Sequence, residues 1–291
     1  MKYAYFPGCS LHSTASEYDL STKAVCRELG IELEEIPDWN CCGATSGHSL
    51  NREVGIALPL RNLAKAEEMG LDVVTPCAAC FNRLKSADEV IKRDPAMQSL
   101  MAEKYGIQYK GTINTLSLLA VVYQLGMDEI KSSVKRELAG LKPACYYGCL
   151  LLRPPDVADF DDAENPKSLD EIMDVLGAEA VKWPYKTECC GASLSLSKSE
   201  IVVKLTHDIL SMAKRSGANC IVTACPLCQG NLDMRQSQVE GRYGEKFGLP
   251  IFYFTQLMGM AFGISDASLG LNKLMVSPGT VLAGIGRGVM E

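Results

Sequence analysis

Short apolar runs alternate with segments of helical period along most of the chain. Lys2–Phe6 has strand length and ends at Pro7-Gly8. Thr14-x-x-Glu17 has the form of a capping box, and the helix it opens is expected to stop at Gly30. Ile31–Ile36 reads as a strand, followed by a loop, a helix from about Asn51 to Met69 closed by Gly70, and a strand at Asp72–Thr75. Later in the chain Ser168-x-x-Glu171 and Ser197-x-x-Glu200 carry the capping-box form again, with Gly177 and Gly217 as stops. The uncharged stretch Phe247–Ser265 approaches membrane-spanning length, but Pro250, Thr255, Gln256 and Gly259 interrupt it. It is expected to be a buried strand followed by a helix. Strands alternating with helices predict an α/β protein, each half a mostly parallel sheet flanked by helices.

The pattern occurs twice, at a period of about 140 to 148 residues. The first copy runs Tyr5-Phe6-Pro7-Gly8-Cys9, Cys41-Cys42-Gly43-Ala44 and Val73-Val74-Thr75-Pro76-Cys77-Ala78-Ala79-Cys80. The second runs Tyr146-Tyr147-Gly148-Cys149, Cys189-Cys190-Gly191-Ala192 and Ile221-Val222-Thr223-Ala224-Cys225-Pro226-Leu227-Cys228. The paired cysteines stand 34 residues before the last pair in both copies, whereas the first gap is 31 residues in one and 39 in the other. Length variation therefore falls ahead of the paired cysteines. Leu29-Gly30 and Leu176-Gly177 each precede an expected short strand and then Pro37 or Pro184, and Asn114-Thr115 and Phe254-Thr255 are expected to open late apolar helices. This gives an N-terminal half at 1–138, a C-terminal half at 139–270 and a Gly-rich tail at 271–291.

Composition narrows the chemistry. The chain has 291 residues, 47% of them hydrophobic, with a net charge of −6. That acidic balance argues against nucleic acid held by counterion release. Thirteen cysteines are more than a chain of this length needs as staples, and no basic-then-apolar leader precedes the first strand, so a cytoplasmic metal protein is expected. With only His12, His48 and His207 available, a metal centre must rest on sulfur, which selects zinc or iron–sulfur.

Cys9, the Cys41-Cys42 pair and the Cys77/Cys80 pair each follow the carboxyl end of a separate expected strand, the edge where open parallel sheets bind ligands. Cys149, Cys189, Cys190, Cys225 and Cys228 do the same in the second copy. Five sulfurs per half exceed the four of a closed zinc site or a cubane [4Fe–4S] cluster, and neither ferredoxin spacing occurs. Adjacent cysteines crowd one tetrahedral ion but suit neighbouring irons of an extended cluster. Zinc in one half is the competing reading, and a metal count separates the two. Cys26, Cys145 and Cys220 read as packing.

The spacing Cys-x31-Cys-Cys-Gly-x33-Cys-x2-Cys, then Cys-x39-Cys-Cys-Gly-x33-Cys-x2-Cys, resembles the duplicated cysteine-rich CCG domain found in the B-type subunits of heterodisulfide reductases, over nearly the whole chain. CCG domains also occur in lactate-utilisation, glycolate-oxidase and succinate- or fumarate-linked iron–sulfur proteins, which usually bring ferredoxin-type cysteine runs that are missing here. The resemblance implies two non-cubane [4Fe–4S] clusters, one per half, with the ten motif cysteines as ligands. It implies reduction of the coenzyme M–coenzyme B heterodisulfide, or a related disulfide, to two thiols. It further implies a C-type partner with cubane clusters and a flavin-containing, electron-bifurcating A-type partner. An electron-relay subunit of a flavin- or quinone-linked oxidoreductase is the alternative.

Three further residues are candidates beside the cysteines. His48, six residues past Cys42, and Lys198, eight past Cys190, are placed to donate protons to a departing thiolate. Arg153, four past Cys149, is placed to neutralise an anionic substrate tail. The Met-rich segment Gln256–Phe262 is either a docking face or core, and Gly284-x-Gly286-x-Gly288 lacks the following helix that a dinucleotide loop requires.

Overall fold

A computed structural model describes residues 1–44 and 46–285. Two parallel sheets form the frame. The first has the order β2-β1-β3-β4, from β1 (Lys2–Tyr5), β2 (Glu32–Glu35), β3 (Val73–Thr75) and β4 (Thr115–Ser117). The second has the order β5-β6-β7, from β5 (Pro143–Tyr146), β6 (Cys220–Thr223) and β7 (Ile251–Tyr253). β3, β5, β6 and β7 are buried along their whole length, as helices on both faces of a parallel sheet require. β2 is the exposed edge strand, and Lys2 ties down its Glu32 and Glu34 at 3.0 and 2.8 Å, the charged edge that discourages further pairing.

Most expected elements form within one or two residues. The helix Arg52–Met69 begins where the Asn51 side chain accepts the N–H groups of Glu53 and Val54, and ends at Gly70. Phe247–Ser265 contains β7 and the helix Phe254–Ala261, whose residues are buried except Met260. The Met-rich segment is therefore mainly core. No helix of the described residues is long and apolar enough to cross a membrane.

Five local expectations are corrected. The helices Ser16–Glu28, Ser168–Val175 and Ser199–Arg215 begin without a side-chain cap from Thr14, Ser168 or Ser197. At the second of them the Asp161 carboxylate, arriving from the preceding loop, accepts the N–H groups of Lys167 and Ser168 at 2.9 and 2.8 Å. A charged acceptor outcompetes a hydroxyl there. Thr115 opens β4 rather than a helix, because its segment pairs with Val73 before the helix Leu118–Gln124 starts. The strand expected after Gly177 is reduced to two bonds along β5, Glu179 N–H to Leu141 and Val181 N–H to Pro143.

The halves pack through the helices Ser16–Glu28 and Phe254–Ala261. The Tyr18 and Tyr253 rings stack with centroids 4.0 Å apart, and the Ser21 and Thr255 hydroxyls bond at 2.7 Å. Asn82 donates to the carbonyls of Leu150 and Arg153, at 3.4 and 2.8 Å. Of the Gly-rich tail, Gly286 and Gly288 lie outside the described residues.

Candidate metal centre

Because all strands of a sheet run the same way, the loops after them gather at one edge. Cys9 lies on the single helical turn Gly8–Leu11 after β1, and Cys41 and Cys42 lie in the loop after β2. Cys77 is the N-cap of the helix Ala78–Arg93 after β3, with Cys80 in its first turn. The second half places Cys149 after β5, Cys225 as the N-cap of the helix Pro226–Met234, and Cys228 in that helix's first turn.

The sulfurs repeat their spacing. Cys42 and Cys80 have Sγ atoms 3.3 Å apart, and their counterparts Cys190 and Cys228 are 3.6 Å apart. Cys149 and Cys189 stand at 3.9 Å. The Gly43 and Gly191 N–H groups point at Cys41 and Cys189, at 3.5 and 3.3 Å. All these distances exceed the roughly 2.05 Å of a disulfide bond, and all thirteen cysteines are free. Cys77 and Cys225 lie close enough across the two halves for each thiol to shift the protonation of the other. Cys77 and Cys225 hold equivalent places in the two halves, so the two thiol sets adjoin there.

Each half also shapes a cradle. Gly8 has φ +67° and a Cβ there would meet the Cys80 sulfur at 2.9 Å; Gly148 has φ +69° and a Cβ would meet the Cys228 sulfur at 3.1 Å. The glycine before each first cysteine is thus demanded both by backbone conformation and by the sulfur behind it. Among the described residues no group of three or more His, Cys, Asp or Glu side chains is set around a single ion. Five soft thiols per half, spread rather than closed on one point, fit a multi-iron cluster better than one tetrahedral zinc.

Protonation follows the crowding. The Cys41 thiol, with that of Cys80 and despite burial, holds Cys42 down at about 4, and the Cys149 thiol holds Cys189 down at about 6. Cys41 and Cys149 are pushed up by the same pairings. Cys26 is pushed up to about 12 by burial, and burial also raises Cys145 and Cys220, as suits packing residues.

A cavity of about 40 Å³ lies between the halves, walled by Cys149, Cys189, Cys190, Cys225 and Cys228 on one side and by Ala44, Ala78 and Ala79 of the first half on the other. Small side chains leave this space open.

The other candidates are placed less centrally. His48 is exposed on the turn Gly47–Leu50, its Nδ1 3.4 Å from the Gly43 carbonyl. Lys198 is exposed at the start of the helix Ser199–Arg215 and is not among the residues walling the thiol cavity. The Arg153 guanidinium is held by Glu164 at 2.9 Å and by the Thr187 hydroxyl and carbonyl. Sequence reasoning missed Asn82 and Arg83. Their signal was position alone, two and three residues past Cys80 on the same helix.

The cysteine-rich domain family CCG matches this chain at residues 3–85 and again at 144–233. The chain belongs to this family and carries its domain twice. It is 30% identical over 280 residues to the B-type subunit of the ferredoxin/F420H2-dependent CoB-CoM heterodisulfide reductase of Methanosarcina acetivorans, covering 94% of this chain and 93% of that one. It is 38% identical over 277 residues to the 8-methylmenaquinol:fumarate reductase membrane anchor subunit of Wolinella succinogenes, covering 94% and 97%. Both relatives are oxidoreductase subunits. A crystal structure of a hypothetical protein from Helicobacter pylori shares the fold with a TM-score of 0.71 at 15% identity; the match covers 95% of this chain and about half (52%) of that one.

Proposed function

We propose that the chain is the disulfide-reducing iron–sulfur subunit of a heterodisulfide-reductase-type complex. Cys9, Cys41, Cys42, Cys77 and Cys80 would hold one non-cubane [4Fe–4S] cluster, and Cys149, Cys189, Cys190, Cys225 and Cys228 the other. The observation that carries the reading is the meeting of Cys77 with Cys225 beside a cavity walled by both halves. Bound clusters supply one-electron chemistry, so two adjoining sites match the two electrons that an S–S bond needs.

The chain's own residues support this in four ways. The Gly43 and Gly191 N–H groups and the helix starts at Cys77 and Cys225 point polarised donors at sulfur, which stabilises thiolate. The alanine wall excludes bulk while leaving room between the sets. His48 stands on the first-half side as a proton donor to a departing thiolate, with Lys198 in the same role on the second side. Arg153, already paired, would steady the loop after Cys149 and lend its charge there. The complex would include A-type flavin and C-type cubane-cluster subunits.

An anaerobic preparation tests the reading: about eight irons per chain, a paramagnetic signal altered by coenzyme M, and turnover of the coenzyme M–coenzyme B heterodisulfide. Few irons with stoichiometric zinc would overturn it.

A second reading is favoured by the Wolinella relative, whose name joins a menaquinol to a fumarate reductase. Here the same two thiol sets would relay electrons for a quinone-linked oxidoreductase with no disulfide substrate. Cluster reduction by a reduced menaquinone analogue, without heterodisulfide turnover, would select it.

A further inference from the structure

The two halves match in their thiols but not in what lies beside them. In the first half, a groove of about 400 Å³ runs between the segment His48–Arg52, the helix Arg52–Met69 and the outer face of the helix Ala78–Arg93. Arg52, Arg83 and His48 line it, together with Ser49, Asn51 and Ser86, and its lining holds no carboxylate. Each nearby acid is occupied elsewhere. Glu53 accepts from Lys104 and Tyr105, Asp88 from Tyr109 and Lys92, and Glu89 pairs with Lys85 and Arg93.

Among the described residues neither Arg52 nor Arg83 has a carboxylate partner, and Arg83 donates only to the Asn82 side chain at 3.1 Å. Arg83 also lies near enough to the Cys42 thiol to favour its thiolate, and an anion entering the groove would meet two cations and no carboxylate. The size falls within the range of small-molecule sites.

The second half differs at the equivalent positions. Counting from the motif cysteines, Arg83 corresponds to Asn231 and His48 to Leu196. Asn231 donates to the Cys190 carbonyl and accepts from Ser195 and Arg235, while Leu196 is fully exposed. The two thiol sets are thus flanked by different side chains, two arginines with His48 in the first half and Asn231 with Leu196 in the second.

We infer that this groove binds the oxyanion end of a small molecule, a carboxylate, sulfonate or phosphate group, with Arg83 and Arg52 as its two cationic contacts. Arg83 stands one helical turn from Cys80 on the same helix. Binding needs no cluster, so the inference does not stand or fall with the proposed activity. The recognised chemistry is the oxyanion itself, whether it arrives on an organic chain or as a free inorganic ion.

The test is arginine modification by phenylglyoxal on the intact chain, followed by peptide mass spectrometry, at constant ionic strength set with chloride. Inorganic phosphate and propane-1-sulfonate are the probes, used separately. The expected result is that modification of Arg52 and Arg83 slows at least about fivefold, while that of the distant Arg61 and Arg93 is unchanged. Propane-1-sulfonate protecting at lower concentration than phosphate would assign the site to an organic oxyanion, and the reverse to a free ion; both outcomes uphold it. In calorimetry R83Q should bind either probe about tenfold more weakly, and R52Q, on an exposed position, should weaken it in the same direction. No protection, or equal protection of Arg61 and Arg93, overturns the inference. Protection by an acidic peptide alone also overturns it, because the groove would then be a protein-docking surface.

Discussion

Tyr18 of the first half lies flat on Tyr253 of the second, centroids 4.0 Å apart and planes 5° from parallel. Both rings are fully buried, and the Tyr18 hydroxyl reaches the carbonyl of Pro76, the residue before Cys77, at 3.3 Å. Contact between the halves and placement of the Cys77 thiol therefore share one side chain.

Removing that ring tests the sharing. Y18A is expected to cost about 3–5 kcal/mol, the range for emptying a large aromatic site. Y18F, which loses only the hydroxyl bond, should cost about 1 kcal/mol. Denaturant unfolding read by fluorescence and by visible absorbance should give coincident transitions, since both thiol sets depend on the interface. Separate loss of half the colour would contradict this.

Gly8 and Gly148 carry a second expectation. G8A places a methyl group against the Cys80 sulfur and an L-residue at positive φ, and G148A does the same against Cys228. Each should lower iron from about eight to about four per chain by disturbing its own half. Gly30 provides the control, for it has φ +67° and nothing within 4 Å of a Cβ. G30A should cost roughly 1–2 kcal/mol of conformational strain with the iron count unchanged.

Cysteine substitutions should divide in the same way. C41S and C189S are each expected to remove one centre and spare the other half's paramagnetic signal, counted by iron analysis and resonance of the reduced protein. Loss of both signals from either single change would mean that the two sets form one indivisible site.

The thiols' titration gives a pH-dependent expectation for the cluster-free, reduced chain. Alkylation follows the thiolate, whose population rises with pH through the pKa. Cys189, held at about 6 by the Cys149 thiol, should react with a midpoint near that value, below the ordinary cysteine value of about 8.5. Cys26, at about 12 through burial, should stay unlabelled at neutral pH. Mass spectrometry after brief iodoacetamide exposure between about pH 5 and pH 8 reads both. Equal labelling of the two would contradict the geometry around Cys189.

Much of this was legible before any coordinates. The order and spacing of Cys9, Cys41-Cys42 and Cys77/Cys80, matched from Cys149 to Cys228, announced a duplicated unit. The strand-length runs ahead of them placed eight of the ten sulfurs on the carboxyl side of parallel strands, as β1, β2, β3, β5 and β6 bear out, whereas no strand forms ahead of Cys189 and Cys190. The helix starts were read less well. Asp161 reaches its cap from a loop seven residues before Ser168, a relation that no local spacing rule contains.

What the linear pattern determined was local and periodic: which segments extend, which coil, and that two equal sets of thiols recur in the same order. It left open where those sets meet, because contact between Cys77 and Cys225 depends on how two helices, Ser16–Glu28 and Phe254–Ala261, bury their faces against each other. It likewise left open that Arg52 and Arg83 share a groove without acids, since Glu53, Asp88 and Glu89 are drawn off by partners that only packing brings near. Side-chain periodicity is a property of neighbours along the chain. Compensation of charge and closeness of sulfur are properties of neighbours in space, so only the tertiary structure could decide them.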